Sequence, residues 1–315
     1  MVYNIINIYK EGYMENPIKI AVSSGCLFDL RQINNKLERL SPEDRSDFLS
    51  HSHNAVLEKG AAYQLVKKLN DLVVDGRRLV EVCLVSRKGG HMADLIRGNL
   101  SLADINLSEI IFTDGAGIID CVTKRSIDLF LSTKTCDVRD ALSCHIPAAK
   151  LLPNFGVSGL ENQIRIAFDG DSVIFDDKVD RIFEKHGIDA VHDHEKKMNH
   201  IPINPGPLQS FFEKVHTAKK AINLVKPGTL KTAIITARSR SVGKRVRQTI
   251  EGWNLSESVD RIDFMSGACK TSAIERFCTD IFFDDRMDNC RPASSYSSVA
   301  HVPWGIANAL PHDEY

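Results

Sequence analysis

Two aspartates separated by one glycine close the apolar run Ile164-Arg165-Ile166-Ala167-Phe168-Asp169-Gly170-Asp171. A run of this composition suits a buried strand of a parallel sheet, and ligands of such sheets bind outside the carboxyl ends of the strands. Carboxylates delivered there meet substrate. Asp169 can attack phosphorus as a nucleophile, while Asp171 protonates the leaving oxygen and later deprotonates water. The plain alternative is a strand ending in an Asp-Gly turn.

Three further segments follow in order. Lys231-Thr-Ala-Ile-Ile-Thr236 is a second apolar run ending in a hydroxyl that can hold a phosphoryl oxygen. Lys270, three residues after Gly267, can neutralise charge on the nucleophile and on the transferring group. Asp280-Ile-Phe-Phe-Asp284-Asp285 ends in paired carboxylates suited to Mg²⁺, which takes oxygen ligands. The candidate metal ligands are Asp169, Asp171, Asp284 and Asp285. Singly, these features also read as a strand end, a solvated helix residue and a helix cap or turn; their joint order carries the argument.

Strand-Asp-x-Asp, strand-Thr, Lys and strand-Asp-Asp resembles the four motifs of the haloacid dehalogenase-like phosphatases. With Ile20-Ala-Val-Ser-Ser24, Leu27-Phe28-Asp29, His194-Glu-Lys196, Gly206-Pro-Leu208, Thr236-Ala-Arg-Ser239 and Ala300-His-Val-Pro303, residues 17–306 resemble the cytosolic 5′-nucleotidase I family. The resemblance implies a cytoplasmic enzyme that hydrolyses nucleoside 5′-monophosphates, AMP first, with Mg²⁺. It implies Asp169 as nucleophile, Asp171 as general acid and base, Thr236 and Lys270 as phosphate contacts, and Asp284 with Asp285 at the metal. It further suggests a nucleotide effector and a homo-oligomer. His194, Asn204 and Gly206 match the pattern just after the nucleophile and are expected either to shape the substrate pocket or to serve as structural caps; Arg238, close behind Thr236, is expected to steer phosphate. Where eukaryotic members carry an Asn-Asn pair, this chain has Ser86-Arg87-Lys88. The rival functions are a phosphatase or phosphotransferase acting on another small phosphate ester, and a catalytically silent nucleotide-binding regulator.

Forty basic residues against forty-one acidic ones exclude a global field that would recruit a nucleic acid polymer or an anionic membrane. Eight scattered cysteines without a CxxC pair or a secretory leader fit reduced thiols. No run approaches the ~18 apolar residues of a transmembrane span. The sequence divides into an N-terminal extension (1–16), a non-catalytic α/β segment (17–150) and a catalytic segment (151–315), with a small cap at about 177–205. The His-rich cap lacks zinc-site spacing. Arg240, Lys244, Arg245 and Arg247 read as the solvated face of a helix. Arg87-Lys88-Gly89-Gly90-His91 suits either a base, ribose or effector contact or an ordinary solvent loop.

The two segments also align with each other. Lys19-Ile-Ala-Val-Ser23 parallels Arg165-Ile-Ala-Phe-Asp169, Glu81–Ser86 parallels Lys231–Thr236, and Ile111–Thr133 parallels Asp263–Asp285. The catalytic positions then fall on Ser23, Gly25, Ser86, Ile118, Ser132 and Thr133, so every carboxylate and the lysine are gone. The expected fold is α/β with two Rossmann-like, haloacid dehalogenase-like lobes, an internal duplication whose first copy lost its chemistry. That first copy is expected to pack across the mouth of the second. The alternative is shared strand and loop grammar, which would leave the two strand orders unrelated.

Overall fold

The computed structural model describes residues 16–52, 55–153 and 159–309. The expected N-terminal extension lies outside them except for Asn16. Ten strands, numbered in chain order, form the main sheet: β1 Ile18–Val22, β2 Val80–Ser86, β3 Glu109–Phe112, β4 Leu129–Ser132, β5 Ala148–Leu151, β6 Ile164–Phe168, β7 Leu230–Thr236, β8 Arg261–Phe264, β9 Ile281–Asp284 and β10 Ser298–His301. Their order in space is β8-β7-β6-β9-β10-β5-β4-β1-β2-β3. Each half therefore runs 3-2-1-4-5 in its own numbering. All pairs are parallel except β10 with β5.

The central strands are apolar on both faces because helices cover both sides. Phe168 on β6 stacks on Phe283 of β9 at 5.2 Å and meets Phe212 edge-on at 5.3 Å. Phe212 belongs to the helix Gln209–Val225, whose buried stripe Phe211, Phe212, Val215, Ala218 and Ile222 follows the helical period. Among the described residues, no helix is long and apolar enough to cross a membrane.

The registers repeat between the halves. Ile18 pairs with Val80 as Ile164 pairs with Leu230, Ile20 with Leu129 as Ile166 with Ile281, and Cys83 with Glu109 as Ala233 with Arg261. Side-chain details recur too. Asp128 Oδ2 accepts the Lys19 amide at 2.8 Å, and Asp280 Oδ2 accepts the Arg165 amide at 2.8 Å. Ser86 Oγ accepts Lys88 N–H at 3.2 Å, as Thr236 Oγ1 accepts Arg238 N–H at 3.2 Å.

The segments expected as two lobes share one sheet, because β5 and β10, each the fifth strand of its half, leave an open edge and pair with each other. That antiparallel junction corrects the expectation that the first half closes over the mouth of the second. The strands of the two halves point in opposite directions, so the carboxyl-end crevice of the first half opens at the far edge of the sheet. The halves are tied instead by Lys68, whose ammonium donates to Asp280 Oδ1 at 2.5 Å and to Leu160 O at 2.8 Å. Both side chains of this pair are largely buried, at 12% and 5% exposure. Lys68→Met leaves the Asp280 carboxylate without its cation and should cost about 3–5 kcal/mol. Urea unfolding measures this, and a loss below about 1 kcal/mol would show that the pair does not clamp the halves.

Candidate active site

The site forms where β6, β7 and β9 end side by side, because β6 lies between the other two. The chain leaves β6 toward β7 and returns to its other side as β9, which makes a topological switch point between Asp169 and Asp284. Asp169 caps β6, and its Oδ1 accepts the Gly170 amide at 2.6 Å. The next turn is tight. A β-carbon on Gly170 would lie 3.1 Å from Thr236 Oγ1, and Ser172 takes the left-handed conformation with φ 61°. Gly170 thus serves close approach to Thr236, while the left-handed turn falls on Ser172.

Lys270 precedes the helix Thr271–Phe277 and is 1% exposed. Its Nζ donates to Asp169 Oδ2 at 2.6 Å and to Asp284 Oδ2 at 2.7 Å. Burial alone would lower the lysine pKa, but Asp169 and Asp284 outweigh it and hold the ammonium above its ordinary range. Asp284, fully buried, also accepts from Arg286 N–H at 2.8 Å and from Asn289 Nδ2 at 3.1 Å on each oxygen. Carboxylate oxygens of Asp169, Asp284 and Asp285 lie within 4.8 Å of one another. Asp285 Oδ2 is buried and has no hydrogen-bond partner among the described residues. Burial, reinforced by Asp169 and Asp284, pushes the Asp285 carboxyl up to about 9. A buried oxygen-only donor set with an orphaned carboxylate fits a hard divalent cation such as Mg²⁺.

Of the four carboxylates expected at the metal, Asp171 does not join this group. Its two oxygens accept from Arg238 Nε and Nη2 at 2.8 and 2.7 Å, a fork-on-fork pair. Arg238 is itself buried, and its Nη1 donates to Glu195 Oε2 at 2.7 Å. Glu195 Oε1 accepts from Arg245 Nη1 at 2.7 Å. Arg238, expected to steer phosphate, is therefore engaged by two carboxylates. Arg245, expected on a solvated helix face, is buried on Glu195; that expectation is corrected because the segment after Asp171 covers it.

That insertion is the helix Lys178–Lys197, broken at Gly187 with φ 76°, and the loop that follows. Ile201 O accepts from Arg245 Nε at 2.8 Å, and Ile203 N–H donates to Thr249 Oγ1 at 2.9 Å, pinning the loop to the helix Gly243–Gly252. His194 points a buried Nε2 that meets no partner among the described residues, and burial holds its pKa below the ordinary imidazole value. Asn204 Nδ2 donates to Asp176 Oδ2 at 2.8 Å. Gly206 lets two backbones touch, since a β-carbon there would stand 2.2 Å from Phe175 O. These three residues frame the insertion. Thr236, fully buried, holds the turn after β7.

Sequence reasoning missed Asn289 and gave neither Glu195 nor Arg245 its buried role. Glu195 lies inside His194-Glu-Lys196, where its residue type alone does not distinguish a buried arginine partner from a solvated carboxylate. Asn289 carries a readable signal, an amide in the first turn of the helix Met287–Ala293 just after the acidic strand end.

The 5′-nucleotidase family model matches residues 11–309. The chain belongs to the 5′-nucleotidase family. Human cytosolic 5′-nucleotidase 1B is 26% identical over 300 residues, covering 91% of this chain and 48% of that protein. The chain thus spans about half the length of the curated relative it matches. Family membership bears out the resemblance of residues 17–306 to 5′-nucleotidases, and the matched span takes in both halves.

One acid at the rim should make stability depend on pH. Asp180 Oδ2 accepts from Ser172 Oγ at 2.6 Å, and Arg286 stands 3.6 Å from its other oxygen. Burial and then Asp171 raise its pKa from 3.8 to about 6. The folded state holds the proton more tightly, so this group's stabilising contribution is complete below pH 3.8 and is lost as pH rises through 6. The rise corresponds to about 3 kcal/mol. Asp180→Asn should match the parent near pH 4 and exceed it increasingly up to pH 6–7 in chemical unfolding. A pH-independent difference would contradict this.

Proposed function

We propose that this chain hydrolyses nucleoside 5′-monophosphates, AMP being the first to test, through a phosphorylated Asp169. The observation that carries the reading is the buried Asp169 carboxylate, 2.6 Å from Lys270 and grouped with Asp284 and Asp285. Family membership supports the substrate class, and similarity to a human cytosolic 5′-nucleotidase supports a cytosolic setting.

An Asp169 oxygen attacks phosphorus as the bond to the ribose 5′-oxygen breaks, and Asp171 gives the departing oxygen its proton. Water then attacks the phosphorus of the acyl phosphate. Its proton passes to Asp171, inorganic phosphate leaves, and Asp169 is restored. Lys270 keeps its charge beside the attacking carboxylate, and the Thr236 hydroxyl lies at the turn where a phosphoryl oxygen would be held. Asp169, Asp284 and Asp285 would hold Mg²⁺, which supplies positive charge for the phosphoryl oxygens. Asp171, whose two oxygens both accept from Arg238, must first take up a proton and exchange one Arg238 contact for the leaving oxygen, so Arg238 and Glu195 set where that proton is delivered.

The equal strand orders and repeated registers support reading the two halves as copies of one ancestral unit, of which the second kept the carboxylates. Eight free cysteines suit a reducing compartment. A nucleotide effector and self-association remain part of this proposal through the resemblance alone.

Phosphate release from a panel of nucleoside monophosphates and sugar phosphates, in Mg²⁺ and in EDTA, tests the reading. Asp169→Asn should lower turnover at least 10³-fold with the fold retained, and Asp171→Asn should slow both formation and breakdown of the phosphoenzyme. Turnover of sugar phosphates alone would remove the nucleotidase assignment. Substantial activity in Asp169→Asn would remove the covalent route.

A further inference from the structure

The crevice at the carboxyl ends of the first half is a cavity of approximately 460 Å³, within the range of small-molecule sites. It opens at that half's own switch point, between β1 and β4, and is lined by Ser23, Ser86, Ser132 and Thr133. These are the positions of Asp169, Thr236, Asp284 and Asp285 in the repeat. No nucleophile or metal-binding carboxylate stands there, and Ile118 replaces the catalytic lysine.

The charge has been rebuilt in another way. Six basic and two acidic side chains line the cavity. Both acids are already held: Asp29 receives a two-oxygen contact from Arg31 at 2.9 and 3.0 Å, and Asp137 is paired with Arg87. Lys88 donates to the neutral Asn34 Oδ1 at 2.8 Å. Burial and then Lys134 depress its pKa. Lys134 and Lys150 form no ion pair among the described residues. Three lysines from the loops after β2 and β4 and from β5 itself thus face one half-enclosed space that holds no carboxylate to neutralise them. An apolar wall of Leu30, Val85 and Leu151 borders the same space.

We propose that this crevice binds a phosphate monoester without hydrolysing it, the phosphate on Lys88, Lys134 and Lys150 and the organic group against the apolar wall. Binding here needs no divalent cation, because lysines supply the charge. That separates it from the catalytic end, where the acidic cluster would repel phosphate in the absence of metal.

Calorimetric titration of the full chain with AMP, glucose 6-phosphate and inorganic phosphate, in EDTA, tests the assignment. One site should appear for an ester and persist in Asp169→Asn. Lys88→Met combined with Lys134→Met should weaken it at least tenfold while Mg²⁺-dependent phosphate release is retained. Should that pair fold poorly, Thr133→Asp, a change at an exposed position that returns a carboxylate to the crevice, should weaken binding comparably. No binding in EDTA, or binding that survives both the lysine changes and Thr133→Asp, would overturn the proposal. Loss in Asp169→Asn alone would assign the bound ligand to the catalytic end and overturn it equally. Inorganic phosphate binding as tightly as either ester would overturn the assignment of an organic group. Because binding is read without turnover, a failure of the hydrolytic reading leaves this result interpretable.

Discussion

The Lys270 ammonium, wedged between Asp169 and Asp284, is the contact on which the catalytic end depends. Three strand ends converge there, and the packing leaves Asp169, Asp284 and Asp285 no more than 5% exposed. Burial of like charges at this spacing is costly unless cations meet them. Two charge networks result, and they differ in balance. Asp171 and Glu195 face Arg238 and Arg245, two anions against two cations. Asp169, Asp284 and Asp285 face Lys270 alone; burial raises the Asp169 and Asp285 carboxyls, so the excess of two negative charges is reached only when a cation enters to balance it. The first network is closed and positions side chains; the second is open by the charge of one divalent cation. Position on the sheet and charge thus select the same three residues.

The balanced network explains how a small insertion organises the site. Glu195 reaches from the helix Lys178–Lys197 to two arginines that flank the turn after β7. It fixes the guanidinium that in turn fixes Asp171. Orientation of Asp171 is therefore set from the helix Lys178–Lys197, through a buried chain of charge-assisted hydrogen bonds.

The motifs at strand ends were readable because strand, turn and functional side chain lie within a few residues of one another. Asp169, Asp284 and Lys270 follow apolar runs or precede a short helix, and the topology of a parallel sheet does the rest. The matching strand orders of the two halves were foreshadowed for the same reason, since their apolar runs are equally spaced. Glu195 and Arg245 were not, because a charged residue on an amphipathic helix looks alike whether it faces solvent or a partner 50 residues away. The direction of the junction was also hidden. Edge strands carry no residue pattern that says whether the neighbour added to them runs parallel or antiparallel. One antiparallel pair, Ala300 with Leu151 and His301 with Lys150, turns the first crevice away from the second.

That reversal bears on why a crevice opens in a half whose sheet strands end without carboxylates. An open parallel sheet parts at its switch point whether or not anything binds there, since the connections leave in opposite directions. The first half keeps that opening together with the hydroxyls that tie its turns, Ser86 to Lys88 N–H and Ser132 to Lys134 N–H. In the second half, Thr236 and Asp284 make the corresponding contacts to Arg238 and Arg286. The turn geometry thus needs an acceptor at each strand end, and serine meets that need as well as aspartate does. Exchange of Asp for Ser removes the charge and the nucleophile while leaving the backbone in place. The first half thus holds a formed cavity lined by six basic and two acidic side chains, and that positive excess can meet an anion without a metal.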